Sequence, residues 1–367
     1  MIYLDNGATS FHKPWQVRSA MLEAMETCAN PGRGGYKAAM IAAKRVHRCR
    51  EAAGVLFHCR PDQVVFTSNC THALNLAIRS LVKPGNRVVI SGFEHNAVTR
   101  PLNGLGAKVL IAGRKLFDWE NTLEEFEDAL DQGVDAAVFT HVSNVFGFIL
   151  PIEQMAAMCR KREVPFVIDA AQSAGILPIS LEELGADFIA MPGHKGLMGP
   201  QGTGLLLCRS IPEPLLMGGT GSESRNQMMP EFLPDRAEAG TLNVPGIAGL
   251  EAGIRWIIGV GVDTVGKREK KATVCCAEGL RELGMKVFSG PHQSGVVSFV
   301  PACDCEEAAA FLAKRGIAVR AGLHCAPLAH ESAGTLDTGT VRISFGYDVS
   351  PAQIRALLRG VSKLSSG

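Results

Sequence analysis

The sequence lacks an excess of either charge: 37 Lys and Arg stand against 36 Asp and Glu in 367 residues, a formal net charge of +1. With 46% apolar and 20% charged residues, neither disorder nor a polybasic nucleic-acid surface is signalled. Long hydrophobic runs are also missing. The most apolar tract, residues 246–262, is interrupted by Glu251 and Arg255, and the start Met1-Ile2-Tyr3-Leu4-Asp5-Asn6 has no basic stretch leading into an apolar one. Neither membrane insertion nor export is therefore expected. The eleven cysteines are odd in number and scattered from Cys28 to Cys325 without the dense spacing of a disulfide framework, so a reducing, cytoplasmic setting is expected. Cys303-Asp304-Cys305 has no second Cys/His pair at zinc spacing, and no metal is expected. Internal repeats and low-complexity linkers are absent too.

What remains is an ordinary globular composition, long enough for two or three domains of about 150 residues each. Forty glycines, clustered in pairs and in GxG spacing, mark backbone held close to something. Short β-branched runs at 64–67, 87–91, 109–111, 136–140, 166–169, 188–191 and 204–208 predict strands. Between them, Leu123-Phe126-Leu130 and Ile152-Met155-Ala156-Cys159 carry the spacing of helices with one buried face. This alternation predicts an α/β fold with a large, mostly parallel, doubly wound domain over residues 1–245. Beyond it, a helix-prone stretch to residue 283, strands at 296–300, 317–320 and 341–345 and a last helix at 351–364 predict a smaller α+β domain over residues 246–367. The N-terminal helical segment 14–28 can pack on either unit. The charged run at 267–271 reads as a solvated helix face.

Chemistry concentrates at two strand ends. Phe166-Val167-Ile168-Asp169-Ala170-Ala171-Gln172 sets an acid at the carboxyl end of a buried strand, where open α/β sheets hold their ligands, although a plain helix cap reads the same way. The next strand runs into Pro192-Gly193-His194-Lys195-Gly196, where a lysine in a glycine-flanked turn is placed like a Schiff-base amine rather than a surface charge. An acid for a pyridinium nitrogen and an amine for an aldehyde are the two protein groups that pyridoxal phosphate requires. Asp169 and Lys195 fit those roles.

With these residues the chain resembles the class V branch of fold-type I pyridoxal-phosphate enzymes, and within it the cysteine desulfurase and selenocysteine lyase family. The likeness runs from Tyr3-Leu4-Asp5-Asn6-Gly7-Ala8-Thr9 to Val341-Arg342-Ile343-Ser344. It implies a fold-type I transferase architecture, pyridoxal 5'-phosphate as cofactor, and a homodimer acting on L-cysteine or L-selenocysteine, with a possible sulfur-acceptor protein as partner. It also implies roles. In Ser68-Asn69-Cys70-Thr71-His72-Ala73-Leu74-Asn75, which on its own reads as any capped helix start, Cys70 and Thr71 hold the cofactor phosphate. His95, in Glu94-His95-Asn96-Ala97, stacks on the ring and takes part in catalysis; without the resemblance it reads as a capping or core histidine. Asn144, otherwise a turn residue, meets the ring hydroxyl and helps to position substrate. Gln172 contacts the ring oxygen from the other side, and His194 is a phosphate ligand. Thr241, in Glu238-Ala239-Gly240-Thr241-Leu242-Asn243, reaches the phosphate of the partner subunit.

Cys325 stands apart from the other ten cysteines, which read as small buried hydrophobes. It follows Arg320-Ala321-Gly322-Leu323-His324 in a Gly-, Ala- and Thr-rich stretch reaching Gly339, the texture of a mobile loop whose cationic surroundings would favour a thiolate. The resemblance makes Cys325 the nucleophile that takes sulfur, Lys195 the base, and Arg342 the clamp on the substrate carboxylate, a task suited to a planar bidentate fork. Pro192, His72, Leu323 and Asn96 depart from the family pattern; Pro192 removes a hydroxyl donor to the phosphate. Retention of Asp169, Lys195, His95 and Arg342 argues against a non-catalytic module. The rival outcomes on the same cofactor are selenocysteine lysis, transamination and epimerisation.

Overall fold

The computed structural model describes residues 1–32 and 34–364. Its main sheet has seven strands in the spatial order Val64–Thr67, Gly204–Cys208, Phe188–Pro192, Phe166–Asp169, Ala136–Thr140, Arg87–Ser91 and Lys108–Ala112. All neighbours are parallel except Gly204–Cys208, which runs antiparallel to both of its partners. Successive side chains along a strand leave opposite faces, and both faces here are apolar. Val138, Val167 and Ala190 enter one core, while Phe139, Ile168 and Ile189 enter the other. Helices must cover both, which gives the doubly wound arrangement expected from the sequence.

The smaller unit is a four-stranded antiparallel sheet, in the order Arg320–Gly322, Thr340–Ser344, Val296–Val300, Lys286–Phe288. Its core gathers Cys276, Phe299, Leu312, Ile343 and Leu357, and Leu4 from the other end of the chain. Ile2–Tyr3 pairs in parallel with Ile317–Ala318, so the N-terminal strand belongs to this unit, whereas the helix Trp15–Thr27 packs on the helix Val244–Val260. The helix-prone stretch beyond residue 244 is two helices. Gly261, at φ 87°, separates Val244–Val260 from Val262–Glu282, a conformation that costs glycine little. Val244, Ile247, Leu250 and Ile254 of the first helix enter the large core, which carries the packing of that unit beyond residue 245.

The stretch after Cys325 differs from the mobile loop that its composition suggests. Pro327–Ala333 is a helix, with proline in its first turn and Gly334 left-handed at its C-cap, both favoured positions for those residues.

Between the two units lies a cavity lined by Gln172, Lys195, Ser294 and Glu269 among others. Glu269 is 5% exposed, and its carboxyl makes no hydrogen bond or ion pair among the described residues; burial, with the charge of Asp348 adding to it, pushes the pKa from 4.5 up to about 8. Below pH 4.5 the group is neutral whether the chain is folded or not. From there to about 8 the unfolded chain ionises while the folded one keeps its proton, so stability falls as pH rises, by about 1.4 kcal/mol per unit for one such group. Glu269→Gln is expected to remove this one contribution, so that in urea melts the stability of the variant relative to the parent rises with pH across this window; Glu94 and Glu238, also raised by burial, and His194 and His324, lowered by it, act alike in both proteins.

Candidate active site

Parallel pairing sets Asp169 opposite Ala190, so the carboxyl ends of adjacent strands bring Asp169 beside the turn that follows Pro192. Lys195 stands in that turn. Gly196 is required there, because a Cβ would lie 2.3 Å from the carbonyl oxygen of Ala174. Asp169, Lys195, His95, Asn144, Cys70 and Thr71 line one cavity of about 530 Å³ including its mouth, within the range of small-molecule sites; Gln172 and His194 line it as well.

Each wall residue is held from behind. Asp169 is 3% exposed, and its Oδ1 accepts the Ala171 N–H at 2.9 Å while Oδ2 accepts nothing. Among the described residues the Lys195 amine has no hydrogen-bond partner, and burial lowers its pKa from 10.5, favouring the neutral amine. His95 caps the helix Asn96–Gly104, its Nδ1 accepting the Ala97 N–H at 3.0 Å. That acceptor role and a pKa lowered by burial describe a neutral ring with its proton on Nε2. His194 Nδ1 lies 3.0 Å from Thr9 Oγ1, and burial lowers its pKa to about 4. Gln172 donates to the carbonyl of Gly7 at 3.0 Å.

The residues fit a phosphorylated pyridine aldehyde. The 12-residue helix Cys70–Leu81 starts at the cavity, capped by Asn69, whose side chain takes the His72 N–H. Among the described residues the N–H groups of Cys70 and Thr71 find no acceptor, which leaves the positive end of a helix open to an anion. The Cys70 thiol does not join them; it points to Asp169 Oδ1 at 3.5 Å. Asn144 Oδ1 is buried without a partner, and Pro192 lines the wall with no hydroxyl to offer.

Three sequence candidates lie outside this cavity. Thr241 is exposed and lines a separate open cavity with Arg50, Glu238 and Thr220. Arg342 is 1% exposed and already engaged: one nitrogen donates to Asp5 Oδ1 at 2.6 Å, another to the carbonyl of Asn144 at 3.0 Å, and its Nε is buried without a partner. Cys325 is exposed, and its backbone is fixed rather than loose. Its carbonyl accepts the Asn96 N–H at 2.7 Å, and the carbonyl of His324 accepts Asn144 Nδ2 at 2.8 Å. Both residues are left-handed, at φ 51° and 58°, a conformation costing about 1–3 kcal/mol each that these bonds hold in place. His324 supplies no positive charge to the thiol. Burial drops its pKa to about 2, and its Nε2 lies 3.2 Å from the Thr340 carbonyl.

Sequence reasoning missed Arg320. It pairs across the sheet with Arg342, is half-buried and has no ion pair or hydrogen bond among the described residues, and its charge adds to burial in lowering the pKa of His95, Lys195, His324 and Arg342 alike. A free guanidinium that all four groups feel is open to an anion. The cue was its place five residues before Cys325, but only the strand pairing aims it. Asp5 was missed as well, since its partner is 337 residues away.

The chain matches the family description Aminotransferase class-V over residues 2–357. It is 34% identical to a probable cysteine desulfurase of Pyrococcus abyssi, covering 99% of this chain and 94% of that one, and 31% identical to one of Methanothermobacter thermautotrophicus, covering 97% and 92%. Among solved structures, the apo cysteine desulfurase of Thermococcus onnurineus superposes with a TM-score of 0.91 at 33% identity, covering 100% of this chain and 95% of that one. A cysteine desulfurase of Escherichia coli in an S-sulfonic acid form gives 0.85 at 25% identity, covering 100% and 94%.

Proposed function

We propose that this chain, which belongs to the aminotransferase class-V family, is a pyridoxal-phosphate-dependent cysteine desulfurase that converts L-cysteine to L-alanine and keeps the sulfur as a persulfide on Cys325. The observation that carries the reading is the meeting, in one cavity, of an unpartnered lysine, a carboxylate with one free oxygen and two open N–H groups at a helix start. Near-full-length similarity to probable cysteine desulfurases supports the substrate.

In this reading Lys195 would hold the cofactor through its aldehyde, Asp169 through its ring nitrogen and Asn144 and Gln172 through its ring oxygen, and His95 would lie against the ring. Thr71, His194 and the N–H groups of Cys70 and Thr71 take the phosphate. When bound, the cofactor supplies a sink for the electron pair left on the substrate Cα. Lys195, as a neutral amine, takes the Cα proton. The Cys325 thiolate attacks the substrate sulfur, so that one S–S bond forms as the C–S bond breaks, and the carbon that loses sulfur takes a proton to become the methyl group of alanine. Incubation with cofactor and L-cysteine should yield alanine and, with a thiol reductant, sulfide in equal amounts. A keto-acid product or racemised substrate would replace this reading with transamination or epimerisation.

Arg320 and Arg342 have different tasks in this reading. Arg342 is committed to Asp5, so its main duty is to lock the N-terminal segment against the site, while Arg320 is free to receive the anion. Arg320→Gln should raise KM for L-cysteine about 10-fold or more, the scale of a lost charge-assisted bond, with stability unchanged. Arg342→Gln should instead cost about 3 kcal/mol in urea unfolding, since it strands a half-buried carboxylate.

A second copy completes the assembly in this proposal. Trp15, Met25, Met217 and Met228 are 71%, 68%, 79% and 75% exposed, more large apolar surface than a lone chain needs, and Thr241 would serve the partner's phosphate. A sulfur-acceptor protein would approach the exposed Cys325. Among the described residues no helix is long and apolar enough to cross a membrane.

A further inference from the structure

Asp169 has a donor beyond its own strand end. Its Oδ1 accepts the Ala171 N–H at 2.9 Å, and the thiol of Cys70 reaches the same oxygen at 3.5 Å. Both side chains are buried, at 8% and 3% exposure, and both line the cavity. Cys70 opens its helix and Asp169 ends its strand, so neither backbone can yield without moving the anion end or the sheet. Burial and the charge of Asp169 raise the Cys70 pKa well above 9.0. At neutral pH the group is therefore S–H, a weak donor and not a nucleophile.

We infer that Cys70, on the cofactor reading above, is a positioning residue that occupies Asp169 Oδ1 with its S–H and leaves Oδ2 to the ring nitrogen. The choice of sulfur matters. A hydroxyl in its place would draw more charge from the carboxylate and weaken its hold on the ring proton; a methyl group would draw none and leave the carboxylate with a single tether. The thiol fixes Asp169 while keeping most of its basicity. It also keeps a second active-site cysteine out of the sulfur chemistry.

The test compares Cys70→Ser with Cys70→Ala in the holoenzyme by titrating the visible band of the bound cofactor. That band reports the proton on the nitrogen supplied by Lys195, which a positive ring nitrogen makes more acidic. The midpoint should fall in Cys70→Ala and rise in Cys70→Ser, each by about 0.3 pH unit. A packing role would move both in one direction. The second readout is the infrared S–H stretch assigned to Cys70 by its loss in Cys70→Ala: it should lie at the low-frequency, hydrogen-bonded side and move up in Asp169→Asn. Midpoints that shift together or stay put, or an S–H band at the free-thiol position, would overturn the role of Cys70 alone. A parent protein that shows no visible band with the cofactor would overturn the cofactor reading and the role of Cys70 with it.

Discussion

Lys195→Ala is expected to lower L-cysteine turnover by about 10⁴-fold or more while the protein stays folded, because a single amine serves as both attachment point and base. Stability should hold, since the Lys195 amine makes no hydrogen bond or ion pair among the described residues and its burial is a cost to the folded state. Thermal unfolding followed by circular dichroism checks that half of the expectation. For the other half, borohydride treatment of the parent protein with cofactor, followed by peptide mapping, should place the reduced adduct on Lys195. An adduct on any other lysine would end the assignment. The variant should still take up the cofactor, more weakly, through the Cys70 and Thr71 N–H groups and Asp169, but without the adduct.

The second large effect is expected at Cys325. Cys325→Ala should desulfurate L-cysteine at least about 10³-fold more slowly, the scale on which loss of a nucleophile is felt, with the cofactor spectrum unchanged. The substitution is clean. Alanine and cysteine both carry a Cβ, so the strain at φ 58° is the same in each, and the bond from Asn96 uses only the backbone. L-Selenocysteine should lose less, because the C–Se bond is weaker and selenium leaves more readily without assistance. In the parent protein, mass spectrometry after L-cysteine should find about one added sulfur on the Cys325 peptide. If that sulfur lies on exposed Cys303 or on Cys305, or if the variant keeps the parent rate, the proposed sulfur transfer is wrong.

Those two residues were legible in the sequence because each sits in a local signal. Lys195 has glycines around it and a strand before it, and Cys325 has a basic, small-residue stretch. The strands were legible for a similar reason: β-branched runs such as Val64-Val65-Phe66-Thr67 can satisfy two apolar faces only inside a sheet. The helix Lys37–Phe57 gave a weaker signal, since its buried face is largely alanine and cysteine, at Ala39, Ala42, Cys49, Ala52 and Ala53. What no local signal could reveal is pairing at a distance. The bond between Arg342 and Asp5 joins residues 337 positions apart, and Arg320 is brought beside Arg342 only by the pairing of its strand with Thr340–Ser344. Cys70 reads as a phosphate residue in the sequence, and its helix does start at the cavity, but its side chain turns to a carboxylate 99 positions further on.

The lock between Asp5 and Arg342 also sets a schedule for the newborn polypeptide. The two residues are 337 positions apart, and at roughly 5–20 residues per second the first waits about 17–67 s for the second to be synthesised. Through that interval the seven-stranded sheet, complete by Cys208, can form with Asp169 and Lys195 in register, while Leu4 and the strand Ile2–Tyr3 remain without the surface that buries them. Translation therefore delivers the pieces of the reaction in a fixed order, amine and carboxylate first, thiol later, and the latch that seats the N-terminal segment last. A ribosome stalled before residue 342 would carry a chain whose N-terminal segment has nothing to latch onto.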